Sequence, residues 1–344
     1  MRCPTIKELP PPPPDKTGWP WTEESPQLPD AMPDGSPWPK ISIITPSFNQ
    51  GLFIEETIRS VLLQGYSDLE YIVIDGGSKD GSIEIISKYE KWLTYWVSEP
   101  DKGQTDAINK GFRKANGELL VWLNSDDVYI ADALKTIGRA YKETPDKIIA
   151  GNCIHYKDGT GEKFLIEQSN LSLKYFILFW EGMGDSDSVN SHAVHAVWSQ
   201  PGLFFPSSLI YKIGMLDTSL RYSMDYDFLC RALKNYEVSY ESKPIAIFRI
   251  HKDAKTTANY FDSIVEATSV YMRYRLLVDD LKKSDIRLAR FLIRTASYQL
   301  RSFNWKIAKN LFYSAWRNLP RFTIVEIIRE FVRLLFGGRY TGRT

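Results

Sequence analysis

The feature that most constrains this chain is an alternation of two apolar periodicities between Ile41 and Asp127. "KISIITPSFN" is a β-branched run ending in Thr-Pro-Ser, and "GLFIEETIRSVLLQG" carries Ile54, Ile58, Val61 and Leu62 at helical spacing up to Gly65. "LEYIVIDGGSKDGS" predicts a second strand entering a glycine-rich turn, and "SIEIISKYEKW" a helix. "LTYWVSEPDKG" predicts a third strand, "QTDAINKGFRKANG" a helix stopped by Gly117, and "ELLVWLNSDD" a fourth strand. Strands and helices that alternate through short connections fold as an α/β layer structure with a mostly parallel sheet and right-handed crossovers. In such sheets a ligand sits at the carboxyl ends of the strands.

Those ends are polar. They read Thr45, Pro46, Ser47 and Asn49 after the first strand, Asp75 and Gly76 after the second, Ser98 to Asp101 after the third, and Asn124 to Asp127 after the fourth. Four such ends on one sheet edge predict a binding site there. Asp126 and Asp127, side by side after an apolar strand, repel each other unless a cation or a proton intervenes. Oxygen ligands of this kind suit Mg²⁺ or Mn²⁺ rather than Zn²⁺. Asp75, Asp80, Asp101 and Asp106 add to the negative field. At ~6 Å and an effective dielectric of ~20, each charge pair between a carboxylate and a diphosphate costs roughly 3 kcal/mol, which a divalent ion reverses.

Other nucleotide chemistries lack their motifs. No GxGxxG follows the first strand, and neither a GxxxxGK[ST] loop nor a GxSxG elbow is present. The three cysteines, Cys3, Cys153 and Cys230, are too far apart for a CxxC or zinc spacing and read as reduced structural thiols.

The regions outside the alternation have their own signatures. Residues 1–39, with "LPPPPPDKTGWPW", are polyproline-like and excluded from helix or sheet interior, though Trp19, Trp21 and Trp38 predict that parts of them pack on the domain. The chain of 344 residues has a net charge of only +1, so its overall field does not call for nucleic acid. The charge is unevenly spread. Residues 282–344 hold 14 Lys and Arg against 3 Asp and Glu, and the rest of the chain holds 29 against 39. From about Phe261 onward the pattern is helical and amphipathic. Two readings remain open for this basic region: a bundle packed on itself or on the rest of the chain, or a peripheral anchor on an anionic membrane face. There is no signal-peptide pattern and no apolar run near the ~18–20 residues of a membrane span, so the sequence predicts a cytoplasmic protein, with peripheral contact at the inner membrane face under the second reading.

The segments "ISIITPSFNQGLFIEETIRSVLLQ", "YIVIDGGSKDGS" and "EPDKGQTDAINKGFRKANGELLVWLNSDDVY", in this order, resemble the nucleotide-binding half of the family 2 glycosyltransferases. The likeness is dense over residues 41–131 and continues through "GMLDTSLRYSMDYDFLCRAL" and "FRIHKDAKT" to residue 257. It implies a GT-A domain at 40–257, a Rossmann-like sheet flanked by helices, between the extension 1–39 and a helical region 258–344. It implies a metal-assisted, inverting transfer of a sugar, of hexosyl or N-acetylhexosaminyl type, from a nucleotide-sugar donor, usually a UDP-sugar. The acceptor would be a hydroxyl of a glycan or a lipid-linked glycan.

Carried over by position, the resemblance places Thr45, Pro46, Ser47, Asn49 and Gly76 in the donor pocket. Asp75 would bond the base, and Asp101, Gly103, Gln104, Asp106, Asn109 and Asn124 would lie near nucleotide and sugar. Asp126 would contact ribose or sugar, Asp127 would bind Mg²⁺ or Mn²⁺ beside the diphosphate, and His251 would close the metal shell. Asp225, at the start of the helix in "SMDYDFLCRAL", would be the general base, with Asp227 as its rival. Many relatives carry Glu where this chain has Met224. His192, His195, Gln200 and Pro201 are weaker candidates for the acceptor side. The alternative from another class is a non-catalytic relative that binds a sugar nucleotide or glycan.

Overall fold

The computed structural model describes residues 1–177, 198–277, 282–302 and 304–335. His192 and His195 lie outside the described residues. The described residues divide into two compact units, one drawn from Met1–Leu171 and Val197–Ala254, the other from Ser172–Ala196 and Lys255–Thr344.

The first unit is built on a nine-stranded sheet. Strands β1 (Ile41–Ser47), β2 (Leu69–Asp75), β3 (Tyr95–Ser98) and β4 (Leu119–Trp122) are parallel in the order β3-β2-β1-β4. Buried on both faces, β1 and β2 need the unbroken apolar and β-branched runs seen in the sequence. Beyond β4 the sheet turns mixed. β8 (Leu203–Pro206) pairs antiparallel with β4 and with β6 (Ile148–Lys157), and β6 runs parallel to β9 (Val238–Ile250). The short β5 (Val128–Tyr129) pairs antiparallel with β9, and β7 (Lys163–Ile166) with β6.

Helices α1 (Ile54–Leu62), α2 (Ser82–Lys88) and α3 (Gln104–Lys114) make the crossovers, and α4 (Ala133–Glu143) follows β5. The sequence places a helix stop at Gly117, but α3 ends at Lys114 with Ala115 as its cap. Gly117 answers a different need. A Cβ there would lie 2.5 Å from Ser42 Oγ and 2.8 Å from Lys40 O, so only glycine lets the chain pass the start of β1.

α1 has a second, polar stripe that apolar periodicity does not disclose. Thr57 and Ser60 on α1, and Gln64 just past its end, are fully buried. Thr57 Oγ1 donates to the carbonyls of Ser125 and Asp127 (2.9 and 2.8 Å). Ser60 Oγ accepts from Tyr129 N, and Gln64 bonds Ile130 O and Leu134 N. The irregular segment after β4 thus has its backbone satisfied by α1, as a buried loop requires.

Residues 1–39 are irregular and packed down. Cys3, Leu9, Trp21, Leu28 and Trp38 are buried. Arg59 of α1, fully buried, donates to the carbonyls of Pro20, Trp21 and Pro10 (3.0, 2.9 and 2.8 Å). Cys3, Cys153 and Cys230 are free thiols, and burial pushes the first two up to about 12, which leaves them unreactive.

The second unit contains α5 (Leu173–Ile177), α8 (Lys255–Ala258), α9 (Tyr260–Tyr274), α10 (Lys282–Arg301), α11 (Trp305–Asn318) and α12 (Pro320–Leu335). No helix among the described residues is long and apolar enough to cross a membrane. The first unit supplies two further helices to the site region, α6 (Ser207–Ile213) and α7 (Met224–Leu233).

Candidate functional site

Ser47, Asp75 and Ser98 stand at one register level across β1, β2 and β3, which makes the carboxyl edge of the parallel strands a defined line. Asp75 does not face outward from it. Its Oδ2 accepts from Gly77 N, Ser78 N and Ser98 Oγ (3.0, 2.9 and 2.7 Å), its Oδ1 accepts from Ser78 Oγ, and it is fully buried. The carboxylate therefore organises the turn after β2. Asn49, at φ 52, ties the first turn to the second: its N–H donates to Ser78 Oγ and its Oδ1 accepts from Lys79 N.

Thr45 is buried within the sheet, 3.2 Å from the Tyr71 hydroxyl, and Pro46 is buried beside it. Ser47 Oγ is buried without a partner among the described residues. Gly76 is where two turns touch, since a Cβ there would stand 2.6 Å from Asp101 Oδ2.

After β3, Gly103 N donates to Asp101 Oδ1 (2.7 Å) and Lys102 N to Asp106 Oδ2 (3.2 Å). These bonds shape the entry into α3. Asp106 also lies 3.8 Å from Lys110, which pairs with Glu99 at 2.8 Å. Gln104, first in α3, donates through Nε2 to Asn124 Oδ1 (2.7 Å) and so couples the α3 start to the end of β4.

Asn109 spends its side chain on the backbone of Leu216. It is buried, its Nδ2 donates to Leu216 O (2.9 Å) and its Oδ1 accepts from Leu216 N (3.1 Å). One turn earlier, Thr105 Oγ1 donates to Leu220 O (2.9 Å). Residues 216–220 therefore run along α3 towards its first turn.

The two aspartates differ sharply. Asp127 is 1% exposed, its Oδ1 accepts from Arg249 N (3.0 Å) and its Oδ2 from Asn124 Nδ2 (3.2 Å). Burial, then the charge of Asp126, raises its pKa well above the ordinary carboxylate range. The side chain of Asp126 is 18% exposed, and its Oδ2 lies 3.0 Å from His251 Nε2. His251 is held against Phe53, ring centroids 4.6 Å apart, with Nδ1 buried and without a partner among the described residues. Asp127 is turned inward, and Asp126 with His251 forms the outward pair.

Arg249 holds this arrangement together. Its Nε donates to Asp126 O (3.1 Å), its Nη2 to Glu56 Oε2 (2.9 Å), and its guanidinium stacks over Phe53 at 5.2 Å. Sequence reading passes over Arg249 as context for His251. The signal was its position two residues before His251, at the end of β9.

Asp225 lies in the first turn of α7 and accepts from Tyr226 N at Oδ1 (2.8 Å). Asp227 is buried and paired with Arg231 (2.9 Å), whose guanidinium also caps the carbonyls of Ile213, Gly214 and Met215. That makes Asp227 structural. Gln200 is buried, with Nε2 donating to Trp122 O (2.7 Å), and Pro201 is buried next to it. Phe228, one turn after Asp225, packs edge-on against Trp122 at the end of β4. With the 216–220 tether, this contact ties the segment around α7 to α3 and to β4.

The chain matches the family described as "Glycosyl transferase family 2" over residues 42–254. It belongs to glycosyltransferase family 2. An uncharacterized glycosyltransferase of Rickettsia typhi is 29% identical over 235 residues, covering 68% of this chain and 70% of its own length. The GalNAc(5)-diNAcBac-PP-undecaprenol beta-1,3-glucosyltransferase of Campylobacter jejuni is 31% identical over 149 residues, 41% of this family 2 chain and 48% of the relative. Among solved structures, S. aureus TarS 1-349 in complex with UDP-GlcNAc superposes with a TM-score of 0.59 at 19% identity, covering 88% of this chain and 93% of that one. The mannosyltransferase PcManGT of Pyrobaculum calidifontis, in complex with GDP-Man and Mn2+, gives 0.52 at 16% identity, with 84% and 90% covered. At these identities the two structures establish that the family 2 domain shares their fold.

Proposed function

We propose that this family 2 glycosyltransferase transfers a hexosyl or N-acetylhexosaminyl group, with inversion, from a UDP-sugar to a hydroxyl of a glycan or lipid-linked glycan. The observation that carries the reading is the meeting of Asp126 and His251 at the carboxyl edge; the bonds that hold residues 216–220, which lead into α7, against α3 support Asp225 as the base. The UDP-GlcNAc complex of TarS and the undecaprenol-linked acceptor in the Campylobacter relative's name support the donor and acceptor classes.

In this reading Asp225 accepts the proton of the acceptor hydroxyl as its oxygen attacks the anomeric carbon, and the nucleoside diphosphate departs from the opposite face. A helix start favours a carboxylate there. Asp126 and His251 are the residues that would hold Mn²⁺ or Mg²⁺. One carboxylate oxygen and one imidazole nitrogen 3.0 Å apart fit such a cation, which completes its shell with phosphate oxygens and water. When bound, it would neutralise the charge of the departing diphosphate. No cluster of three or more acidic, histidine or cysteine ligands exists among the described residues, so phosphate and water would supply most of the shell. Arg249 keeps Asp126 and Asp127 apart in role by binding one through its side chain and the other through its backbone. Transfer is assigned to residues 40–257, and residues 258–344 stand outside the chemistry.

UDP release from a panel of UDP-sugars, with a glycan-lipid extract as acceptor, tests the reading. Wild-type protein should turn over and Asp225→Asn should bind UDP normally while losing turnover by about a hundredfold or more. Unchanged turnover in Asp225→Asn removes that residue as base. Tight UDP binding with no turnover by the wild type on any donor would instead make the chain a sugar-nucleotide-binding relative.

A further inference from the structure

The second unit sorts its charges by sign. Residues 282–344 contain three acids, Asp285, Glu326 and Glu330, and all three are buried at 2%, 4% and 6% exposure. Asp285 pairs with Arg275 and accepts from the Tyr271 hydroxyl, and Glu326 pairs with Arg290 and Arg329. Among the described side chains, what α11 and α12 turn outward therefore carries no acid: it is cationic or apolar, with Asn310 neutral and polar.

On α11, Trp305, Lys309, Phe312 and Trp316 are spaced by four, three and four residues, a single stripe along the helix. Trp305 is 66% exposed, Phe312 42% and Trp316 47%, while Ala308, Leu311 and Ala315 face the core. Lys306 and Arg317 flank the stripe, exposed, with no carboxylate within ion-pair distance among the described residues. α12 repeats the pattern, with Ile324, Val325 and Ile328 exposed beside Arg321. Lone exposed apolar residues are ordinary, but aromatic and aliphatic stripes on two successive helices need an occupant.

We infer that the exposed faces of α11 and α12 dock on an anionic lipid bilayer, lying in its headgroup boundary without crossing it. Charge complementarity selects this occupant. A second copy docking through the same faces would bring like charge against like and be repelled. A soluble polyanion would satisfy Lys306, Lys309, Arg317 and Arg321 but leave the tryptophans and isoleucines in water. A bilayer with anionic headgroups meets both needs: tryptophan prefers the headgroup level, and lysine and arginine reach back to phosphate. The absence of a spanning helix among the described residues fits a face that lies on the surface. The inference stands apart from the transfer reaction, because its readout is binding alone.

The test is co-sedimentation of the full chain with vesicles of phosphatidylcholine alone or with one part in three phosphatidylglycerol, at low and high salt. Wild-type protein should bind the anionic vesicles only, and less at high salt. Lys306→Gln with Lys309→Gln should weaken partitioning by roughly 25-fold, about fivefold per charge. Trp305→Ser with Trp316→Ser should weaken it at unchanged charge, and Ile324→Ser with Ile328→Ser provides a second variant on α12. Each variant is first matched to the wild type by circular dichroism and melting. Wild-type protein left in the supernatant with anionic vesicles at low salt overturns the inference. So does binding that ignores the tryptophan and isoleucine pairs, or that is equalled by soluble polyglutamate. A wild-type dimer in sedimentation velocity that Trp305→Ser with Trp316→Ser disperses would make the face an interface between copies and also overturn it.

Discussion

Replacing Asn109 separates its structural placement from the one implied by resemblance. The side chain lies in the middle of α3, is 4% exposed, and spends both amide groups on the backbone of Leu216. Asn109→Leu keeps the volume and removes both bonds. Each bond contributes about 1 kcal/mol, and stranding the buried Leu216 N–H and C=O adds about 1–3 kcal/mol before relaxation, so the loss should be about 3 kcal/mol. For a unit of this size that is a fall in Tm of roughly 6–10 °C. The functional effect follows from the tether. Residues 216–220 lead directly into α7, so loosening Leu216 displaces Asp225, and a misplacement of about 1 Å can cost about 100-fold in rate. Both side-chain bonds of Asn109 go to Leu216 rather than to the strand ends. Calorimetric titration should therefore give a UDP affinity within about twofold of wild type while kcat falls by roughly 10–100-fold. A loss of UDP affinity as large as the loss of kcat would return Asn109 to the nucleotide and refute the tether. Unchanged kcat beside the lowered Tm would show that the tether does not position α7.

Other substitutions probe the supporting structure. Arg59→Met strands the carbonyls of Pro10, Pro20 and Trp21; it should cost about 3 kcal/mol or more and expose residues 1–39 to limited proteolysis while the remainder stays folded. Burial lowers the pKa of His155 from 6.5 to about 4, so the unfolded chain binds the extra proton first. Stability should fall as pH drops from 6.5 towards 4, by up to about 3 kcal/mol, and His155→Gln should flatten that acid limb in melts recorded against pH. Asp127 works with the opposite sign. Its raised pKa means that the folded state keeps a proton that the unfolded state releases above 3.8, so its contribution declines as pH rises, and Asp127→Asn should melt with a weaker decline towards neutral pH than wild type in metal-free buffer.

Much of this arrangement was legible in the chain before any coordinates. Unbroken apolar runs located β1, β2 and β4, and the period of 3.6 located α1 to α3, because parallel strands buried on both faces leave long apolar signatures. The acidic strand ends were legible for the same reason, since a charged residue next to a buried run is conspicuous. What the pattern could not convey was the direction in which each polar side chain turns. Asp75 and Asp127 stand where a site was expected, yet backbone N–H groups of the neighbouring turn and of β9 draw them inward. Asn109 looked like a site residue because it follows Gln104 and Asp106 in one motif, but it sits nearly two turns into α3 and meets a loop more than a hundred residues away. Arg249, Thr57 and Gln64 were hidden by their partners, which are backbone atoms brought close only by the fold. The extension 1–39 showed its irregular backbone and its tryptophans, but not its clasp, because the arginine that holds it lies within an otherwise amphipathic helix.

The account turns on Asp126, rather than Asp127, meeting the donor's diphosphate with a cation. Titration of UDP into wild type, Asp126→Asn and Asp127→Asn, each with and without Mn²⁺, measures this directly. The account predicts that Mn²⁺ tightens UDP binding to the wild type, that Asp126→Asn abolishes this increment, and that Asp127→Asn retains most of it. Loss of the increment in Asp127→Asn with its retention in Asp126→Asn would contradict the account.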